Sequence, residues 1–485
     1  MKQLLRRCTR RLHCVAGGLM SFAVLALCTL ALIGLTRTPA ITAPNTATPV
    51  TADGIKLSGQ LSRGKLLQGG DGTVYVHLEI AAPAQAERNG MRRATDLVVV
   101  LDKSGSMSAE NRLPYAKQAV LDLVQRLGAE DRLGLVLFDS VAELVSDLQP
   151  MTDAQRARLR LSVSAIQAGS GTNLSEGLFK ARTLFLEQPS ERNRALLLLS
   201  DGEANEGITL PEGLNGIARG IGEQGVVLST IGMGLGFNEV LMASLADHGM
   251  GSYAYLEHLG GLAEILARPL DESRQVYAQR SELAIRLPPG VALIDAGGYE
   301  RTRVSASSVR VPAGQILAGA RRNLTLTFKV ATDTLGEREL TALTLHYHTA
   351  RGDHTAGLQQ APLRLAVVPA ERREEAAASV NEPVLKSSWI SNNLGRLKAA
   401  YREAVAAGKR DEAKATLDRY VKDVRGAEAE LGLSIVDAAT AAQVEDMARD
   451  LDDAFSGAPA ERTLKQQRLA KKAHAEGLKA QRASK

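Results

Sequence analysis

The chain has 485 residues, 45% of them apolar, and this length exceeds one ordinary hydrophobic core, so about two to four domains are expected. The formal net charge of +5 comes from the two ends, because the first twelve residues carry five bases and no acid, and residues 461–485 carry eight bases against two acids. The remainder has a net charge of −6, which argues against nucleic-acid binding by the body of the protein.

The first feature along the chain is an apolar segment typical of an export signal. Residues 14–36 carry no charge, and as a helix they extend about 34 Å, enough to cross a hydrocarbon core of about 30 Å. Bases precede this segment, so the positive-inside rule exports everything after it. The pattern favours a signal anchor at residues 1–37, with a cleaved signal peptide as the alternative because small residues follow. Residues 38–53, rich in Pro, Thr and Ala, are predicted to be a linker.

Alternating apolar residues predict β-strands on both sides of a long central segment. Apolar and more polar residues alternate within 73–80, and the same period returns at 324–330 and at 363–367. One or two strands are not stable alone. Residues 54–92 and 274–369 are therefore predicted to form one β-sandwich, into which the central segment is inserted.

The inserted segment, residues 94–272, alternates strand-like and helix-like stretches in the manner of a Rossmann-like, doubly wound α/β sheet. A helix is predicted at 113–127 from its apolar spacing. The glycine-rich run at 232–236 has the spacing GxGxG and follows a late strand, so it predicts a turn and not a dinucleotide-binding loop. The strand candidates are 97–101, 133–138, 195–200, 226–231 and 252–256.

From residue 371 the composition changes to Ala, Glu, Arg and Lys with almost no strand pattern, and helices are predicted at 371–457. One helix begins near Asp411, and a later one places Val444 and Met447 on one face. The region is either a hairpin that packs on itself or on the sandwich, or a partner-binding module. Residues 458–485 are predicted to be a basic tail that forms a solvated and partly disordered helix, with contact to an anionic membrane surface or an acidic partner as a further alternative.

The most informative motif is the loop Asp102-Lys103-Ser104-Gly105-Ser106. It follows a continuous apolar strand and so lies at a carboxyl end, where ligands of open α/β sheets bind. The loop brings one carboxylate and two hydroxyls together, and hard divalent cations such as Mg²⁺ take oxygen donors. Taken alone, the motif is equally typical of a strand-to-helix turn with capping serines.

Two further loops complete a pattern. Thr172 lies in a glycine-flanked loop ahead of a helix-like stretch, and Asp201 follows another strand candidate. The set resembles the metal-ion-dependent adhesion site (MIDAS) of von Willebrand factor type A domains, which combines an Asp-x-Ser-x-Ser loop with a Thr and an Asp on two other loops. The resemblance implies that Ser104, Ser106 and Thr172 ligate a divalent cation through hydroxyls, while Asp102 and Asp201 act directly or through water. Mg²⁺ is the expected ion, with Mn²⁺ and Ca²⁺ as alternatives.

The resemblance also implies a function. Hydroxyl ligands neutralise little of the cation's charge, so an open coordination position can accept an Asp or Glu side chain from a protein partner. The sequence contains no Walker loop, no HExxH and no Gly-x-Ser-x-Gly motif, and a non-enzymatic binding module is predicted. Two alternatives remain open. One is an accessory subunit of a metal-dependent enzyme or envelope machine, and the other is a structural envelope protein whose metal stiffens the loops.

The arrangement also indicates a location. An inserted type A domain behind an amino-terminal apolar helix resembles bacterial membrane-anchored type A proteins. A similar pairing of sandwich and type A domain occurs in inter-α-trypsin inhibitor heavy chains, but the exported part here has no cysteine, which points to a bacterial protein. We therefore expect the body in the periplasm or on the cell surface, tethered to the membrane, or secreted if the signal is cleaved.

Overall fold

The computed structural model describes residues 54–84, 94–186, 192–201, 203–256, 275–349, 351–358 and 362–482. The anchor and linker predicted for residues 1–53 lie outside these ranges, and no helix within the ranges is long and apolar enough to cross a membrane. The strands, in chain order, are β1 (Lys56–Leu61), β2 (Lys65–Leu67), β3 (Thr73–Ala81), β4 (Thr95–Asp102), β5 (Arg132–Phe138), β6 (Ala142–Pro150), β7 (Asn193–Ser200), β8 (Val227–Met233), β9 (Met250–Leu256), β10 (Val276–Arg286), β11 (Val291–Ala296), β12 (Thr302–Ser305), β13 (Ser308–Leu317), β14 (Arg321–Val330), β15 (Gly336–Thr349), β16 (Gly352–Gly357) and β17 (Leu363–Val368).

The helices fall into two groups, one between the strands of the doubly wound sheet and one at the carboxyl end. A short 3₁₀ helix, Gly105–Asn111, leads from the loop after β4 into α1. The α-helices are α1 (Arg112–Arg126), α2 (Asp153–Ala165), α3 (Leu174–Thr183), α4 (Pro211–Glu223), α5 (Glu239–His248), α6 (Arg373–Ala378), α7 (Glu382–Ala406), α8 (Arg410–Leu431), α9 (Ala438–Ala454) and α10 (Pro459–Arg482).

The doubly wound sheet has the strand order β6-β5-β4-β7-β8-β9. All neighbours are parallel except β6, which pairs antiparallel with β5. The five predicted strands are present, and each of their ends lies within two residues of the predicted position. Strand β6 was not predicted, because it lies at the sheet edge with most of its side chains exposed or half-buried and so has no apolar run.

Alternate residues of β4 face opposite sides of this sheet. Leu97, Val99 and Leu101 pack with α1 and α2 in one core, whereas Val98 and Val100 pack with α3, α4 and α5 in another. All of β4 is buried, as expected for a central parallel strand that is covered on both faces. The loops that follow β4, β5, β7 and β8 consequently meet at one edge of the sheet.

A further core lies between two largely antiparallel sheets. One has the order β1-β3-β14-β11, and the other has the order β12-β13-β10-β15-β17-β2, with β16 paired to β15. Leu78 of β3 lies opposite Leu324 of β14. Apolar residues of both sheets form one cluster, so strands before and after the doubly wound domain fold into one sandwich.

Helices α7 to α10 form a core of their own beside β3. Tyr401 of α7 is fully buried and donates a hydrogen bond from its hydroxyl to the carbonyl of Met447 (2.8 Å). Tyr75 of β3 belongs to this core, although the alternation along its strand predicts an exposed side chain. The helical region therefore packs both on itself and on the sandwich.

The basic tail is helical over residues 459–482, as predicted, but the prediction that this helix is solvated and partly disordered is wrong. These residues form α10, whose Leu469, Ala470, Lys471 and Ala473 are buried. The buried face combines one Leu and one Lys with Ala and Gly residues, and its apolar part is too narrow to stand out among the surrounding charges. Composition therefore concealed a packed helix.

Charged residues of α10 also hold this helix against the doubly wound domain. Lys471 is 5% exposed; its Nζ donates to the carbonyl of Phe237 (2.6 Å) and to Glu239 Oε2 (2.9 Å), and lies 3.9 Å from the centroid of the Phe237 ring. Arg482 donates to both carboxylate oxygens of Asp247, at 2.7 and 2.6 Å. Buried cations need such partners, and here the partners lie on a different domain.

His474 makes this docking sensitive to acid. Burial, together with the nearby charge of Arg402 and against the opposing charge of Glu239, lowers the pKa of His474 to about 4. The centroid of its ring lies 6.0 Å from that of Tyr253. The unfolded chain takes up a proton at this histidine near its ordinary pKa of about 6.5, before the folded chain does, so acidification favours unfolding. Between about pH 6.5 and 4 the free energy of unfolding should fall by up to roughly 3 kcal/mol from this group.

Urea unfolding of the wild type and of His474→Gln across this pH range measures the effect. The variant should lose less stability on acidification than the wild type does. His346→Gln, at an exposed histidine, serves as the control and should follow the wild type. Parallel curves for His474→Gln and the wild type would contradict the prediction.

Candidate metal centre

Two strands and the loop before α3 place the predicted ligands at the carboxyl edge of the doubly wound sheet. Asp102 ends β4 and Asp201 follows the neighbouring β7, and both are fully buried. Thr172 lies in the loop before α3 and is 4% exposed. The Gly105 N–H donates to the carbonyl of Ser170 (2.9 Å), so the first loop rests directly on the second.

Short contacts connect four of the five predicted ligands. Ser104 Oγ lies 3.0 Å from Ser106 Oγ, and Ser106 Oγ donates to Asp201 Oδ1 at 2.8 Å. Asp102 joins this group through its Oδ1, which accepts from the backbone N–H of Ser104 at 2.7 Å. Two carboxylates and two hydroxyls thus form one connected polar cluster at the sheet edge.

Asp102 is held by two hydrogen bonds in a buried position that disfavours its negative charge. Besides the Ser104 N–H, it accepts a hydrogen bond from the hydroxyl of Ser200 at its Oδ2 (2.6 Å). Burial raises the pKa of Asp102 to about 6, and the negative charge of Asp201 contributes in the same direction, whereas the two serines oppose the shift. A nearby cation would relieve this cost. Ser200 was not assigned a role from sequence, because only the fold shows that it faces Asp102.

Thr172 is positioned by its backbone. Its N–H donates to Asn205 Oδ1 (2.9 Å), and its carbonyl accepts from the Asn205 N–H (3.1 Å). Asn205 lies four residues after Asp201, so the loop that carries one predicted ligand also orients another. Asn205 was not identified from sequence; its type, frequent in loops, offers no distinctive signal.

A cation of the protein itself also lies at this cluster. Arg112, the first residue of α1, donates from Nη1 to Asp201 Oδ2 at 2.7 Å. Its side chain is only 10% exposed, and that of Asp201 is fully buried. Arg112 was not identified from sequence. A basic residue at the start of a helix, where acidic residues are favoured, was the available signal.

The glycine-rich run at the end of β8, residues 232–236, supports this arrangement. Gly234 adopts φ +72°, and a Cβ atom built there would lie 2.6 Å from Arg112 Nε. At Gly232 a Cβ would lie 2.1 Å from the ring of Phe237. The run therefore forms a turn that makes room for Arg112 and Phe237, in agreement with the turn predicted from its spacing.

The donor set fits a small, hard cation. Ligand oxygens at neighbouring corners of a magnesium octahedron lie about 2.9 Å apart, given bonds of about 2.0–2.1 Å at right angles. The Ser104–Ser106 and Ser106–Asp201 oxygen distances of 3.0 and 2.8 Å are close to that value. Within the described ranges no group of three or more His, Cys, Asp or Glu side chains is placed to hold a metal, so such a site depends on hydroxyls as well as carboxylates.

Comparison with known proteins identifies the domain that carries this cluster. Residues 97–203 match the family model of the von Willebrand factor type A domain. The chain is 28% identical over 246 residues to uncharacterized protein YfbK of Escherichia coli, across 49% of this chain and 42% of that protein. It is 31% identical over 188 residues to calcium-activated chloride channel regulator 1 of Bos taurus, across 38% of this chain and 20% of that protein. The chain spans about half the length, or less, of the curated relatives it matches.

Two solved structures share most of the fold. A structure described as von Willebrand factor type A from Catenulispora acidiphila has a TM-score of 0.65 and 18% identity, and the match covers 88% of this chain and 98% of that chain. The ArnB paralog VWA2 from Sulfolobus acidocaldarius has a TM-score of 0.54 and 17% identity, with coverage of 87% and 98%. At these identities the likeness shows the fold alone. It extends well beyond the doubly wound sheet.

Proposed function

We propose that this chain, which carries a von Willebrand factor type A domain, is a metal-dependent protein-binding protein and not an enzyme. The observation that supports this most is the cluster of oxygen donors at the sheet edge, with the Ser104, Ser106 and Asp201 oxygens spaced at 3.0 and 2.8 Å. In this proposal Ser104, Ser106 and Thr172 hold a divalent cation, most simply Mg²⁺, and Asp102 and Asp201 complete the site directly or through water.

The chemistry of the donors indicates what the partner offers. Hydroxyls are neutral ligands, so the two carboxylates can at most balance the charge of a divalent cation. An open coordination position on that cation therefore favours an anionic oxygen. We propose that this oxygen comes from an Asp or Glu side chain of a protein partner, and that residues 1–37 tether the body to the outer side of a bacterial membrane. Type A domains often mediate protein interactions, which agrees with this proposal.

Affinity capture with the Thr172→Val variant tests the proposal. The substitution removes the predicted hydroxyl ligand at nearly constant volume and leaves both backbone hydrogen bonds with Asn205 available. Envelope proteins are captured on the immobilised chain in Mg²⁺ and eluted with EDTA. We expect EDTA to release a partner from the wild type, and Thr172→Val to retain at least about tenfold less of it, because removing one ligand or its support typically weakens a metal site by that amount or more.

Thr183→Val, at an exposed position in α3, is the matched control and should behave as the wild type does. Isothermal titration with Mg²⁺ on the same three proteins measures the cation directly, without the partner. Equal recovery of the partner with and without EDTA, together with no heat of Mg²⁺ binding to the wild type, would disprove the proposed function.

A further inference from the structure

Arg112 occupies a position that the rules of helix formation disfavour. It is the first residue of α1, and no acidic residue accompanies it in the first turn. A cation at the amino end of a helix is opposed by the helix dipole. The Arg112 side chain is only 10% exposed, so its guanidinium also loses most of its hydration. Residues that break such local rules concentrate at functional sites.

The surrounding structure is built to hold the guanidinium at the metal centre. Arg112 Nη1 lies 2.7 Å from Asp201 Oδ2, while the other oxygen of Asp201 accepts from Ser106. Asn111, which precedes the helix, adopts the left-handed conformation at φ 57°, a region that Asn tolerates better than most residues. Gly234, on a separate loop, supplies the space that any Cβ would fill. Three separate chain segments thus fix one cation beside a predicted ligand.

The charges at the cluster determine how the Arg112 guanidinium affects metal binding and anion binding. When Asp102 and Asp201 are ionised, Arg112 leaves the cluster with one net negative charge, and a divalent cation then makes it positive by one. Without Arg112 the loaded cluster is neutral. Like charges repel most strongly where water is excluded, so the guanidinium opposes binding of the cation and favours binding of an anion afterwards.

We propose that Arg112 sets the selectivity of the site, by keeping the metal-loaded cluster cationic so that a carboxylate of the partner is preferred to water. This rests on the proposed function and adds a residue to it. The proposal requires that removing the positive charge of Arg112 raise the affinity for the divalent cation and lower the affinity of the metal-loaded site for a carboxylate. A residue that merely positioned Asp201 would weaken both steps when it was replaced.

The experiment uses the full chain and measures two affinities in sequence. Mn²⁺ is titrated by electron paramagnetic resonance, and acetate is then added to the Mn²⁺-loaded protein while the relaxation of water protons reports displacement of bound water. Arg112→Gln keeps a hydrogen-bond donor but loses the charge. We expect it to raise the Mn²⁺ affinity roughly tenfold and to lower the acetate affinity roughly tenfold. Arg112→Lys keeps the charge and should change neither affinity more than about threefold.

Arg126→Gln, an exposed arginine at the other end of α1, is the matched control and should leave both affinities unchanged. If Arg112→Gln lowered both affinities, or changed neither, the proposal would be overturned although the proposed function could stand. If the wild type bound no Mn²⁺, both would fall together. Should Arg112→Gln not fold, Gly234→Ala displaces the guanidinium from Asp201 and must shift the two affinities with the same opposite signs.

Discussion

Replacing Asp102 by asparagine is expected to weaken divalent-cation binding about 100-fold or more and, at the same time, to stabilise the metal-free protein. The side chain is fully buried, and burial raises its pKa to about 6. At pH 7.5 the ionised Asp102 therefore lowers the free energy of unfolding by roughly 2–3 kcal/mol, because its charge is less favourable in the folded protein than in the unfolded chain. Asparagine removes this cost, and its carbonyl oxygen can still accept from the Ser104 N–H.

The same substitution removes a charge that a cation requires. Altering residues that only support a ligand typically weakens a metal site 10–100-fold, so loss of Asp102 should weaken Mg²⁺ binding about 100-fold or more. A cation present at 100 times its dissociation constant stabilises the wild type by about 2.7 kcal/mol. Urea unfolding with and without Mg²⁺ should therefore show the variant more stable than the wild type in EDTA and unresponsive to Mg²⁺.

The dependence on pH provides a further check. Because the folded pKa lies above the unfolded value, the stability cost of Asp102 appears as pH rises from about 4 through 6, and the advantage of Asp102→Asn should vanish below about pH 4. Asp418→Asn, at an exposed position in α8, is the control and should match the wild type throughout. A variant that was less stable than the wild type in EDTA would show that the Asp102 charge is stabilised by the fold itself.

The doubly wound sheet was predictable because its central strands are buried on both faces. Strands such as β4 and β7 are almost wholly buried, and burial on both faces demands continuous apolar runs that any reader of the sequence can see. The edge strand β6 has no such requirement and was missed. The helix α10 was expected but its packing was missed, since its buried face includes Lys471, whose partners Phe237 and Glu239 lie more than 200 residues away in the chain.

The candidate metal centre was likewise predictable only in part. Asp102, Ser104 and Ser106 form a local motif, and Thr172 and Asp201 were found because a family resemblance supplied their spacing. The structure brings their loops together, while ligation itself stays a prediction. Arg112 and Ser200 contact the predicted ligands Asp201 and Asp102, which lie 89 and 98 positions away in the chain. Ser200 has no local pattern that marks it, and the basic residue at the start of α1 is only a weak signal for Arg112, so both roles depended on the folded chain.

Replacing Ala470 by aspartate is expected to unfold the helical region, with a loss of about 3–5 kcal/mol, because it buries a carboxylate without a partner. Ala470 is 4% exposed on α10 and belongs to the apolar core of α7 to α10. Trp389, the only tryptophan of the chain, lies in the same core. Its fluorescence therefore reports on the helical region. In Ala470→Asp the midpoint temperature of the thermal unfolding followed by this fluorescence should fall by roughly 10 °C.

Gln467→Asp introduces the same carboxylate at an exposed position of the same helix, one turn earlier, and should change stability by less than about 0.5 kcal/mol. The pair separates a packed helix from a solvated basic tail, since a solvated tail would tolerate both substitutions equally. Because Lys471 of this helix contacts Phe237 beside the turn that holds Arg112, Ala470→Asp should also weaken Mg²⁺ binding where Gln467→Asp does not. Unchanged Trp389 fluorescence and unchanged Mg²⁺ affinity in Ala470→Asp would show that α10 is dispensable for both the helical core and the metal centre.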